Sequence, residues 1–286
     1  MQGFWSHWAW PLATAVLGFV FFGLVFDQWL RRRKPHQAAW SVGLFFYAVA
    51  ALMEFWSEYN GAWNPTVYRV YIVLAASLVG FLGLGSLYLI ARRRLWGHIY
   101  LAFNIICLIV FFAGALTVTL ATSKLVPGIT VGGQGLGSSF SFPRVMSFAF
   151  NIPGSVFLIG GALLTIWRFA RRREFAYRVW ANVLIALGAL LIAFVGSRAR
   201  MGSTAGLYPA EMVASALMLA GFLLAGTLQK GRESARRGRQ AALQAKGAAR
   251  PTDGDSNRRS GGHKAGGRSG SEGARSDPSS RTRHRR

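Results

Sequence analysis

Long apolar runs broken by short polar clusters dominate the chain. Each run is about 20 residues, the length of helix needed to cross the ~30 Å hydrocarbon layer of a bilayer. Read in order, the pattern predicts seven spans at about 9–30, 37–58, 67–91, 97–121, 145–167, 175–196 and 209–228. The fold class is therefore all-α, a polytopic membrane protein with a seven-helix domain over 1–228. Turn chemistry sharpens several ends. Asn60-Gly61 and Asn64-Pro65 break the chain between the second and third runs, and Pro209 suits the first turn of the last helix. Pro153 falls inside the fifth run, where it removes a backbone donor and predicts a kink.

Charge orients the bundle. The connections 31–34, 92–94 and 168–173 hold four, three and four Lys/Arg. The intervening connections hold none in the first two segments, then Lys124 and Arg144, then Arg198 and Arg200. Positively charged connections stay in the cytoplasm, so the N-terminus is expected outside and the C-terminus inside. Trp5, Trp8, Trp10 and Trp29 mark the two interfaces of the first span, which reads as a retained span and not as a cleaved signal peptide. Asp27 and Arg31 are one helical turn apart and are expected to pair.

Composition adds little beyond this. Hydrophobic residues make up 52% of the 286, and 34 glycines suit closely packed helices in lipid. The formal net charge of +23 follows the connections and the tail, so it points to anionic headgroups and calls for no nucleic acid. Residues 229–286 lack the apolar content to offset the entropy of ordering. A basic, disordered cytoplasmic tail is expected there, with a short surface helix over 229–246 as the alternative. A location in the cell membrane and an unidentified protein partner complete these expectations.

Ionisable groups within spans are costly and are functional candidates. Glu54 and Glu58 lie four apart and share a helix face with Ala50, Tyr47 and Gly43. In the third span Arg69 shares a face with Ala76, Gly80 and Gly83. Small residues mark faces where helices approach, so both charged stripes are expected to point inward. Two readings remain open. One is a structural ion pair, Glu54–Arg69 or Glu58–Arg69. The other is an outward-open polar pocket lined by Glu54, Glu58, Arg69, Tyr68 and Trp56, with Glu211 and Arg144 as further candidates.

Several chemistries lack their residues. No lysine falls in the middle of a span, which argues against a retinal Schiff base. The histidines sit at interfaces or in the tail, Cys107 is the single cysteine, and no metal-ligand spacing occurs. The Gly-rich VGGQGLG lacks the strand and the GK[ST] ending of a phosphate loop. No Ser or Thr has a His or Asp partner at mid-depth. No cofactor, metal or catalytic residue is expected, and the interrupted fifth helix has no counterpart in the first half to suggest a transporter.

The second run, AAWSVGLFFYAVAALMEF, resembles the second helix of the seven-helix membrane regions that precede some bacterial sensor histidine kinases. There a Trp opens the helix and a Glu closes it, places taken here by Trp40 and Glu54. The resemblance implies a receptor-like or accessory module without catalysis, passing its output to a separate partner. A small-solute transporter or permease is the alternative.

Overall fold

The structure, a computed structural model, describes residues 8–126, 133–137, 142–171, 176–200 and 206–248. These residues are helical almost throughout, and no strand occurs among them. Seven α-helices follow in order: α1 (Ala9–Arg32), α2 (Pro35–Asn60), α3 (Pro65–Ile90), α4 (Arg94–Thr117), α5 (Phe142–Arg171), α6 (Ala176–Arg200) and α7 (Leu207–Ala248). Six of them carry a stretch long and apolar enough to cross a membrane, and the chain is a multi-pass membrane protein. The apolar stretch of α6, Trp180–Gly196, is shorter.

Local chemistry sets the helix ends. Arg33 adopts the left-handed conformation and returns its N–H to the Trp29 carbonyl, closing α1. Pro35 opens α2 in its first turn, and Gly61, at φ +67°, closes it. Asn64 caps α3: its Oδ1 accepts from Thr66 N at 2.9 Å and Val67 N at 3.4 Å, ahead of Pro65 in the first turn. The breakers expected from the sequence thus act as the two caps of one turn. Asp27 and Arg31 pair at 3.0 Å on the exposed side of α1.

One span boundary differs from expectation. The fourth helix ends at Thr117 and not near 121. Val118 and Leu120 leave the helix to pack against the aromatic core around Tyr68, Tyr71 and Phe111, so their apolar character serves packing and not a longer span. At the other end of the chain the apolar stretch of α7 ends at Gly226, and the helix itself continues to Ala248, through the 229–246 segment for which a short helix was the alternative. The chain divides into two units, Met1–Glu233 and Ser234–Arg286. The second unit is helical up to Ala248, and the rest of the expected tail, 249–286, lies outside the described residues.

Within the first unit α3 is central, packing against α2, α4 and α5. Its glycines let neighbours come close, as small residues do where helices pack in lipid. A methyl group at Gly83 would lie 2.5 Å from the Gly154 carbonyl oxygen, and one at Gly154 would lie 2.5 Å from the Val79 carbonyl oxygen. The α3 and α5 backbones are therefore in direct contact. Gly85 makes room for the Trp40 indole, whose Nε1 donates to Leu82 O at 3.1 Å. Gly80 receives Asn104, whose amide also donates to Tyr100 O within α4. The helix α5 carries Pro153 within its length.

Candidate functional site

The inward faces of α2, α3 and α7 meet near the α2–α3 turn and the start of α7. Glu54 is 4% exposed, although it sits in the last two turns of α2. Its Oε1 accepts from the Tyr71 hydroxyl at 2.7 Å. Its carboxyl group also hydrogen-bonds that of Glu211 on α7. One turn on, Glu58 Oε1 accepts from the Tyr208 hydroxyl at 2.6 Å, tying α2 to the first turn of α7. Glu211 follows on α7, with its carboxyl group close enough to Glu54 for the two to interact. One turn further into α7, Ser215 Oγ donates to Glu211 O at 2.6 Å and lies 2.5 Å from the Tyr47 hydroxyl. The Tyr47 hydroxyl also reaches the Glu211 carbonyl, at 3.2 Å, so Tyr47 and Ser215 converge on one acceptor.

These groups form one end of a cavity of ≈ 440 Å³. Tyr47, Glu54, Tyr71, Glu211 and Ser215 line the polar end, and Ser147, Asn151 and Ser155 of α5 add a second polar strip. The remaining wall is largely apolar, drawn from α1, α2, α3, α5, α6 and α7. No Lys or Arg lines it among the described residues. Gly133 and Leu136, from the connection between α4 and α5, complete the wall. That segment is held by Gly135 N donating to the Tyr68 hydroxyl at 3.2 Å, and by Ala121 N donating to Gly135 O at 3.0 Å. Gly135 lies so close to the Tyr68 ring that a methyl group there would approach it to 2.8 Å.

The structure brings together only part of the expected set. Glu54 and Glu211 line the cavity, and Glu58 lies beside it through Tyr208. Arg69 turns away: its guanidinium donates to the Ala115 carbonyl at the end of α4. Among the described residues no ion pair joins Arg69 to Glu54 or Glu58. The reason lies in helix geometry. Tyr71, which reaches Glu54, is two residues from Arg69, and residues two apart point to different sides of a helix. Trp56 fails by the same geometry. It is two residues from Glu54, is 56% exposed, and sits on the outer face. Tyr68 is fully buried, but against Trp63 and the Gly135 segment and not on the cavity. The Arg144 side chain lies outside the described residues.

Sequence reasoning missed Tyr71, Tyr208 and Ser215 as partners of the acids. Tyr47 carried a signal, since it stands on the Glu54 face two turns back. Tyr71 requires knowing which face of α3 meets α2, and Tyr208 and Ser215 that α7 packs on α2, relations across 150 and 168 positions.

Hydroxyl removal should rank these contacts. Tyr71→Phe takes away the hydrogen bond to the buried Glu54 Oε1. A loss of about 1–3 kcal/mol is expected, the cost of leaving a buried acceptor unsatisfied. Tyr47→Phe leaves Ser215 bonded to Glu211 O and should cost about 1 kcal/mol. Unfolding in a graded denaturing detergent reads both, and an equal effect of the two substitutions would refute the ranking.

Among the described residues no three His, Cys, Asp or Glu side chains gather as a metal-binding group. The arrangement presents acceptors and aromatic hydroxyls to an apolar chamber, which suits recognition of a small molecule more than covalent chemistry. Compared with known proteins, the chain matches no family model, no curated protein and no solved structure.

Proposed function

We propose that the chain is a receptor-like or accessory module of the cell membrane, binding a small molecule inside its bundle and acting through a protein partner without catalysis. The observation that supports this reading is the ≈ 440 Å³ cavity, lined by six helices and ending on a buried carboxyl group. Its size falls within the roughly 300–1,000 Å³ of small-molecule sites, and such sites pair apolar walls with a few placed polar groups. In this reading α6 is the seventh crossing. Its apolar stretch, Trp180–Gly196, reaches about 25 Å at ~1.5 Å per residue, the lower limit of a span. The basic connections then place the N-terminus outside and the C-terminus in the cytoplasm, with the cavity's acidic end toward the outside. Anionic headgroups attract the basic connections on the inner side. The likeness of the second helix to sensor-kinase input regions agrees with this role, as an analogy of architecture.

The cytoplasmic unit, from Ser234 onward, is the proposed contact with the partner. Removing residues 234–286 is expected to leave thermal unfolding of the bundle unchanged and to abolish partner co-purification from native membranes. Partner capture that survives the truncation would defeat this coupling. A small-solute transporter is the second reading, favoured by the position of the cavity inside the bundle. It requires solute flux in proteoliposomes that is lost in Glu54→Gln, and absence of flux across a broad solute panel would remove it.

A further inference from the structure

We infer that the cavity is built for an organic ammonium with an apolar body, whose charged head meets Glu54 and Glu211. The inference rests on the proposed ligand-binding role and names the ligand class.

The carboxyl pair carries the first part. Glu54 and Glu211 face the same chamber, and no Lys or Arg lines it among the described residues. Of the two cations that the sequence offered nearby, Arg69 is committed to the Ala115 carbonyl on α4, and the Arg144 side chain lies outside the described residues. Two carboxyl groups in apolar surroundings cannot both ionise without a counter-charge except at high cost, and no Lys or Arg among the described lining residues supplies one, whereas an ammonium would. Glu54 is 4% exposed, and its carboxyl group hydrogen-bonds Glu211 as well as Tyr71, so the two acids sit side by side at the polar end of the cavity.

Geometry and chemistry narrow the donor. An ammonium brings N–H donors and a positive charge together, and its donors can meet the Glu54 and Glu211 carboxyl groups at once. The rings of Tyr47 and Tyr71 line the same end, and aromatic faces attract cations. An anionic ligand would meet two acids. A divalent metal would need oxygens that are already committed, since the Tyr47, Tyr71 and Ser215 hydroxyls are all hydrogen-bonded within the protein. Beyond the polar end, Leu44, Ile72, Leu82, Leu158 and Met218 give the hydrocarbon part of the ligand an apolar wall.

The test compares three eight-carbon probes that differ in head group: octylammonium, octanol and octanoate. Each is titrated calorimetrically into the full chain in phosphatidylcholine nanodiscs, with empty nanodiscs subtracting partition into lipid. Octylammonium is expected to bind at least about 10-fold more tightly than octanol or octanoate. Glu54→Gln and Glu211→Gln are each expected to weaken it by about 10-fold or more and to leave octanol unchanged. Equal binding of octylammonium and octanol overturns the inference and keeps the cavity as an apolar ligand site. Binding of none of the probes, or tight octylammonium binding that ignores both substitutions, also overturns it. The head-group comparison uses the unmodified chain, so it decides even if the variants do not fold. It is also independent of partner capture. Ammonium binding together with partner capture that survives truncation would uphold the ligand and defeat the receptor role, and the opposite pair of results would do the reverse.

Discussion

Gly154→Val is expected to destabilise the bundle more than any other single substitution considered. A Cβ at this position would lie 2.5 Å from the Val79 carbonyl oxygen and 2.9 Å from the Gly80 nitrogen. Both are backbone atoms of the central helix and cannot rotate aside, so α3 and α5 must separate. Overfilling a packed interior costs about 1–3 kcal/mol, and more where the backbone itself must shift. The damage extends to the cavity, because α5 supplies its Ser147, Asn151 and Ser155 strip. Gly160→Ala on the same helix is the control. Nothing lies within 4 Å of a Cβ there, so stability should hold or rise by up to about 1 kcal/mol as helix propensity improves. Thermal unfolding in mild detergent measures both. Equal loss in the two variants would show that α3 and α5 do not touch as described.

The second large effect concerns Arg69. Its bond to the Ala115 carbonyl joins α3 to α4, so Arg69→Met should cost about 1.5–3 kcal/mol, the range for a hydrogen bond to a charged group. Its relation to Glu54 is the sharper test. An ion pair between them would make the double variant Glu54→Gln/Arg69→Met far less damaging than the sum of its parts. The structure gives the two residues separate partners, so the effects should add within about 0.5 kcal/mol. A double-mutant cycle read by the same unfolding assay decides. Glu54→Gln with Tyr71→Phe, whose side chains bond directly, should instead couple.

These two residues also show where the sequence stops being informative. Whatever depends on neighbours in the chain was legible: the Asn64 cap, the Gly61 stop, the Asp27–Arg31 pair, and the inward turn of Glu54 on its small-residue face. Glycines spaced along the third run marked a close approach, which the structure assigns to α5 and α4. The partner of a charge was not legible, because it depends on which helix lies across from it. The helix just before Arg69 in sequence carries two acids and Arg69 was matched to it, whereas the α4 end took it in space. Trp56 was a different failure. Its position two residues from Glu54 already places it on another face, so the helical period alone argued against it. The connection after α4 gave no periodic signal at all, because its role rests on one backbone N–H and one leucine.

That connection has a practical consequence for labelling the protein. Loops on the proposed outer side are the usual places for an epitope or a fluorophore. Here Gly133 and Leu136 are wall residues, and Gly135 has no room for a side chain beside Tyr68. A tag inserted at 133–137 would report on a chamber it had itself opened. The turn at Gly61 is the better choice, since nothing lies within 4 Å of a Cβ there and the residue lines no part of the chamber. Its left-handed φ means that the glycine should be kept and the insertion made beside it.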